Sequence, residues 1–570
     1  MKLQSLIPYS FCLFSLILTG CNTEQDQQTQ AVFSELKQAL ANQTYRPAKV
    51  MFNEAAYVPA QCYTKTQDEA NNTYNPCYVC HANGKRPNYI NGTDLQTEYG
   101  FTAEYLQTNR WKNLFRDFSK PIAAQSDQEI TQYIRSSNYF NADNQITLAA
   151  ELAKPNKNWD VNNNGKWDGY TPDVYFNFDA KGFDKTPNGQ YTGWRVFAYA
   201  PFPGAFLPTN GSTDDVLIRL PEIYRQDKDK KFDLKVYELN LAIVESLLKE
   251  ENIQIPSTDE ALYQVDLNKD GKLNLASQIV YRWAPKQNIY MSYVGLANSL
   301  FDQQAIKMAA GLYPEGTEFL HTVRYIDHND KGQMQMSARI KEVRHSIKTS
   351  WNTYAQLQNA ALSEIKEKHD FPERLRQFSG NAETGLYTGF GWRYQGFIED
   401  KIGKLRPQTY EETVACMGCH SGISATLDSS FAMPRKYNQD QFKLGWYHWS
   451  EKGLKALPEY QYSDGRGEYT TYLKHNPWGD EFRSNAQIFN KFNPVNESAK
   501  ASLTAQIKQD ISILLEPSQE RALLLNKAYR AIVQEQSYIW GRQAVLNPAK
   551  NIHQFIESGT ATGIETAILK

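Results

Sequence analysis

The chain has 570 residues, 13% of them aromatic, and a formal net charge of -2 at neutral pH. That balance excludes the broad basic field of a nucleic-acid binder, so no nucleic-acid partner is expected. At this length about three or four structural units are expected, and 35 Tyr and 11 Trp suit a large core.

Lys2 is followed by an apolar stretch from Leu6 to Leu18 and then by Thr19-Gly20-Cys21. A positive start, a short apolar core and small residues read as a secretory signal over 1–20. The stretch is too short to span a bilayer as a stable helix. It resembles a lipobox, which implies that Cys21 carries the lipid after cleavage. An ordinary signal peptide is the competing reading. Asn22 follows Cys21. In Gram-negative lipoproteins Asp at that place favours inner-membrane retention, so the resemblance implies the outer membrane. Residues 21–47 read as a tether with a short helix.

The segment 48–152 contains Cys77-Tyr-Val-Cys80-His81. Two thiols and an adjoining imidazole in this order are the attachment pattern of a c-type haem. The thiols add across the porphyrin vinyl groups and the imidazole becomes the proximal iron ligand. Farther along, Ser126 or Asp127 can cap a helix that buries Ile130 and Ile134.

The segment 153–374 reads as a mixed middle region. Asp160, Asn162, Asn164, Lys166 and Asp168 stand at positions 1, 3, 5, 7 and 9 of an EF-hand-type loop, with Gly165 at 6. Asp266, Asn268, Asp270, Lys272 and Asn274 repeat the pattern around Gly271. The lysines contribute only backbone carbonyls. Both loops lack the glutamate of position 12, which is Thr171 in one and Ser277 in the other. Asp173 is a nearby substitute in the first. Calcium is the expected ligand, with a plain Asx-rich turn as the alternative.

Gly193 to Ala200 alternates as a strand does, and Leu234 to Leu248 has helical spacing. Met336, Ile340, Val343, Ile347, Trp351, Tyr354, Leu357, Leu362 and Ile365 recur every three or four residues. That spacing, uninterrupted by Pro or Gly, predicts one long helix from Met334 to about His369.

The segment 375–570 holds Cys416-Met-Gly-Cys419-His420, preceded by a predicted helix over Pro407 to Ala415. Ser518 to Ile539 reads as another helix. Two such pentapeptides in a chain with 7 Cys and 9 His predict two covalent haems. Zinc held by paired Cys-x-x-Cys knuckles is the competing reading, but it requires no His after each second Cys. Cys62 is then left without a disulfide partner and reads as a buried thiol, with a reactive thiol near the first haem as the alternative.

The sixth ligand decides whether each haem shuttles electrons or binds a small molecule. His321, in an apolar and aromatic stretch, is the first distal candidate. His475 is the second and Met433 the third. For His321 the alternative is a core histidine satisfied by its neighbours.

Asn75-Pro-Cys-Tyr-Val-Cys-His, Pro201-Phe-Pro-Gly, Pro208-Thr-Asn-Gly-Ser-Thr-Asp-Asp and Glu411-Glu-Thr-Val-Ala-Cys-Met-Gly-Cys-His-Ser-Gly resemble stretches of large di-haem lipoprotein cytochromes of Gram-negative bacteria. The resemblance implies haem, electron transfer and a redox partner protein. Di-haem cytochrome c peroxidases are similar in having two such motifs and a calcium, but they place their motifs much closer in sequence. The expected fold is α+β and predominantly α, with two cytochrome-c-like helical haem units flanking the mixed middle region. The expected function is electron transfer at the cell envelope, with a di-haem peroxidase or oxygenase having one open iron as the alternative.

Overall fold

A computed structural model describes residues 55–65, 79–80, 86–87, 101, 103–200, 202–203, 208–420, 426–430, 433–438, 453–462, 464–475, 486–492, 497–558 and 560. The signal peptide and Cys21 lie outside the described residues.

The strands are β1 (Phe183–Lys185), β2 (Tyr191–Val196), β3 (Thr213–Arg219), β4 (Ile253–Asp259), β5 (Leu275–Ile279), β6 (Glu318–His328), β7 (Met334–Lys348), β8 (Gly380–Asn381), β9 (Gly385–Tyr387), β10 (Trp392–Glu399) and β11 (Leu405–Pro407). Nine of them form one sheet in the order β1-β2-β3-β6-β7-β10-β9-β8, with β11 beside β10. Every pairing in it is antiparallel. Strands β4 and β5 make a separate hairpin. The expectation of a predominantly helical protein built on two cytochrome-like units is therefore wrong. A large antiparallel sheet organises the fold.

The predicted long helix shows why. Met334 to Lys348 is a strand, and only Tyr354–Asp370 is helical, opened by a capping box of Thr353 and Gln356. Strand β7 lies between β6 and β10 and is covered on both faces. Ile340 and Val343 fill the core on one face, while Glu342, Arg344, Ser346 and Lys348 point to the other. Glu342 and Lys348 are buried there because they are ion-paired. Buried charges hid the alternation of period two, and the remaining apolar residues fell by chance on a helical spacing.

Other elements follow the sequence. Asp127–Arg135 is a helix capped by Ser126 and Glu129, burying Ile130 and Ile134. Leu234–Lys249 is helical, with Asp233 as its cap. Gln519–Glu535 is helical behind the cap Ser518. Pro407 to Ala415 divides, since Pro407 ends β11 and only Tyr410–Val414 is helical.

Two hydrophobic cores cover the two faces of the sheet. The first includes Phe319, Trp392, Ile398, Val414, Met417 and Tyr529. The second includes Val79, Leu217, Leu320, Val343, Phe397 and Tyr472.

Candidate functional site

The second pentapeptide lies on the first core, directly after the helix Tyr410–Val414. Thr409 and Glu412 form a capping box that fixes where this helix begins. Glu412 also receives both ends of the Arg406 guanidinium at 2.8 Å. The chain then continues in helical turns. Cys416 N donates to Thr413 O, and both Cys419 N and His420 N donate to Cys416 O at 3.2 and 3.0 Å. Side chains three and four apart share one side of such a turn, so Cys416, Cys419 and His420 face together.

The two intervening residues are fixed by packing. Met417 is buried in the first core. A Cβ on Gly418 would stand 1.8 Å from Tyr57 O and 2.6 Å from the Pro59 ring. Glycine is required here because the N-terminal segment is seated on the motif. Trp111 holds the same segment by donating from Nε1 to Val58 O at 2.9 Å.

The His420 imidazole makes one hydrogen bond among the described residues, from Nδ1 to Ser430 O at 3.2 Å. Ser430 also pairs its hydroxyl with Tyr394, whose ring centre is 4.9 Å from that of His420. Burial, and then the neighbouring His321, push the His420 pKa down to about 4. At neutral pH the ring is uncharged, with the proton on Nδ1 and the lone pair on Nε2. This is the state and orientation that an iron-binding histidine requires.

Cys419 is accessible, yet burial, followed by the adjacent Cys416, pushes its thiol up to about 11. Neighbouring protein thus desolvates the thiol while part of its surface stays accessible.

His321, on β6, stands beside Arg344 on β7 and Val216 on β3. Its Nε2 lies 2.9 Å from Asp214 Oδ2, and Tyr199 donates its hydroxyl to the same oxygen. A buried ionic network runs along β7 from Arg344. Arg344 meets Glu342 at 2.9 Å, Arg542 meets it at 2.7 Å, and Gln408 donates to it at 3.0 Å. Burial alone would raise the Glu342 carboxyl, but the two guanidiniums outweigh it and hold the pKa at about 2.

Of the first pentapeptide, Val79 and Cys80 are described, while Cys77 and His81 lie outside the described residues. Val79 is buried in the second core, and Cys80 packs against both cores. Met433 is fully buried in the first core, with its N–H on the Tyr313 hydroxyl. His475 closes the helix Glu468–His475, and its side chain lies outside the described residues. Cys62 is half-buried in a short turn over Ala60–Tyr63.

The two predicted loops share one construction. In the first, Asp160 accepts from Asn164 N and Gly165 N, and Asp168 from the amides of Asn162 and Asn164. Gly165 and Gly271 have φ of +79° and +85°, as the sharp turn demands. Each loop is pinned by a buried glutamate that sequence reasoning missed. Glu383 accepts from Val161 N and Asp168 N at 2.8 and 3.0 Å. Glu260 accepts from Leu267 N and Asn274 N at 2.6 and 3.1 Å. These are loop positions 2 and 9 in both cases. Glu260 stands six residues ahead of its loop, within reach of a local search, but nothing near Asp160 announces Glu383. Asp173 is not a substitute for position 12. It is bonded to Tyr170, Trp194 and Arg219. Among the described residues no group of three or more His, Cys, Asp or Glu is arranged to hold a metal ion.

The protein is an exported, membrane-anchored lipoprotein. The chain is a member of a lipoprotein family, described as "-like lipoprotein", which it matches over residues 47–512. It is 30% identical over 547 residues to a protein of Aquifex aeolicus (strain VF5) titled "Uncharacterized lipoprotein", covering 87% of this chain and 86% of that one. No solved structure matches. No helix among the described residues is long and apolar enough to cross a membrane.

Proposed function

We propose that this lipoprotein is a di-haem c-type cytochrome that transfers electrons at the cell envelope. Cys77, Cys80 and His81 hold one haem, and Cys416, Cys419 and His420 hold the other. The observation that carries the reading is the His420 imidazole. It is neutral, aimed by Ser430, and leaves Nε2 for iron on the side of the turn that Cys416 and Cys419 share. A haem held there supplies a one-electron iron couple. The chain aims the ligand, excludes water and surrounds the site with buried charge. Asn22 after the lipidated cysteine supports the outer membrane, where a redox partner protein meets it.

Expression in a host that attaches haem to exported chains, followed by a haemochrome assay, tests this. Two haems per chain are expected, and one in a Cys416→Ser/Cys419→Ser variant. A colourless wild-type protein refutes the proposal.

One observation favours a second reading, a peroxidase or oxygenase with an open iron. The Nε2 of His321 is turned to Asp214 instead of being held in reserve for a metal. Stoichiometric carbon monoxide binding by the reduced protein would favour it, and its absence favours electron transfer.

Calcium in the two loops remains part of the proposal. In the second loop Asp266 Oδ1 is buried and has no hydrogen-bond partner, as fits an oxygen reserved for a cation. The role of the ion is to rigidify its loop.

A further inference from the structure

We propose that Asp428, Lys348 and Tyr394 are positioning residues that hold the loop 427–430 against the sheet, so that the Ser430 carbonyl fixes the His420 imidazole and lowers the reduction potential of the haem at His420. The inference rests on the haem reading above and extends it to residues outside the attachment motif.

The loop is held in a conformation that it would not keep alone. Asp428 and Ser429 have φ of +52° and +53°, in the left-handed region that most side chains disfavour. Two such residues in succession persist only where their surroundings over-determine them. Here the surroundings come from two adjacent strands. Trp392 and Tyr394 alternate onto one face of β10, and Lys348 of β7 pairs with Trp392. Trp392 donates from Nε1 to Asp428 O at 2.8 Å. Lys348 Nζ meets Asp428 Oδ2 at 2.6 Å, and Tyr313 N donates to the same oxygen at 3.0 Å. The Tyr394 hydroxyl pairs with Ser430 Oγ at 2.7 Å. Asp428 and Lys348 are each 1% exposed, so neither charge has water to turn to.

The end of this loop touches the site directly. Ser430 O accepts from His420 Nδ1 at 3.2 Å, and the Tyr394 ring centre lies 4.9 Å from that of His420 at a tilt of 40°. One carbonyl and one ring thus fix the imidazole in tautomer and in tilt. A histidine that gives its Nδ1 proton to a carbonyl is a more electron-rich ligand through Nε2. That favours the ferric state and so lowers the potential.

The variants are Tyr394→Phe, Asp428→Asn and the double Lys348→Met/Asp428→Asn in the full chain. They are read by spectroelectrochemical titration, by electron paramagnetic resonance of the ferric protein, by thermal melting and by haem count. Asp428→Asn removes the charge that pins the loop. It is expected to weaken the ferric preference of one haem about tenfold, raising its potential by about 59 mV for a one-electron couple. The g-values of the same haem should change, and the other haem should not move. Tyr394→Phe keeps the packing and the ion pair, and should shift the same haem less and in the same direction. The double variant leaves no buried charge alone. It should regain melting temperature over Asp428→Asn but not the potential, a split that a purely structural role would not give. Unchanged potentials and g-values in both single variants with two haems attached would overturn the inference and leave the haem reading standing. A wild-type chain without haem would overturn the reading itself, and the inference with it. If Asp428→Asn fails to fold, the Tyr394→Phe shift or its absence decides.

Discussion

Replacing Glu342 by Gln should remove a large, pH-dependent share of stability. Glu342 is 1% exposed and lies between Arg344 and Arg542. Its pKa falls from an ordinary carboxyl's 4.5 to about 2 in the fold. A lowered carboxyl stabilises the fold above its unfolded pKa, and that stability is lost as pH falls toward the folded value. With ~1.36 kcal/mol for each pH unit of difference, the carboxylate contributes about 3 kcal/mol at pH 7. By the same relation it contributes about 1 kcal/mol at pH 3. Breaking a buried ion pair from one side costs a similar ~3–5 kcal/mol, because the abandoned charges stay buried. Denaturant unfolding of wild type and Glu342→Gln, at pH 7 and again at pH 3, measures both figures. A gap between the proteins that does not narrow on acidification would refute the account, since it would make the loss one of shape and not of charge.

Gly418→Ala should destabilise the chain by ~1–3 kcal/mol, the usual range for overpacking, because the new Cβ meets backbone at Tyr57 and a proline ring. A thermal melt, with protease cleavage near residue 60 as a second readout, checks it. Glu383→Ala should expose the Val161 and Asp168 amides to rapid hydrogen exchange, with each orphaned N–H costing ~1–3 kcal/mol. Chelator should lower the melting temperature of the wild-type protein, and terbium luminescence should report the loops' return on adding metal. The same terbium signal should weaken in Asp266→Asn, because the unpartnered Asp266 Oδ1 loses its charge.

The turn carrying Cys416, Cys419 and His420 was legible because its pattern is local. Cys416, Cys419 and His420 must be adjacent in sequence to face one way, and the capping residues Thr409 and Glu412 are read just as directly. His321 was singled out from its neighbours, and the fold pairs it with Val216 and Arg344. What surrounds these residues was not legible. Asp214 meets His321 only because β3 and β6 are paired, and Glu383 meets the first loop from a distant turn. The sheet itself was missed because its central strand carries Glu342 and Lys348 inside, where a pattern of apolar and polar residues assumes they cannot be. Their partners Arg542 and Asp428 come from elsewhere in the chain, so no local window contains the reason for their burial.

The seat of Tyr57–Pro59 on Gly418 makes the order of events matter. An exported chain crosses the membrane amino end first, so the cover arrives long before the turn it covers. Until Gly418 emerges, the thiol of Cys419 is an ordinary one. Afterwards burial raises it to about 11. The contact between Tyr57–Pro59 and Gly418 is therefore one that forms late, when both ends of the chain have been exported.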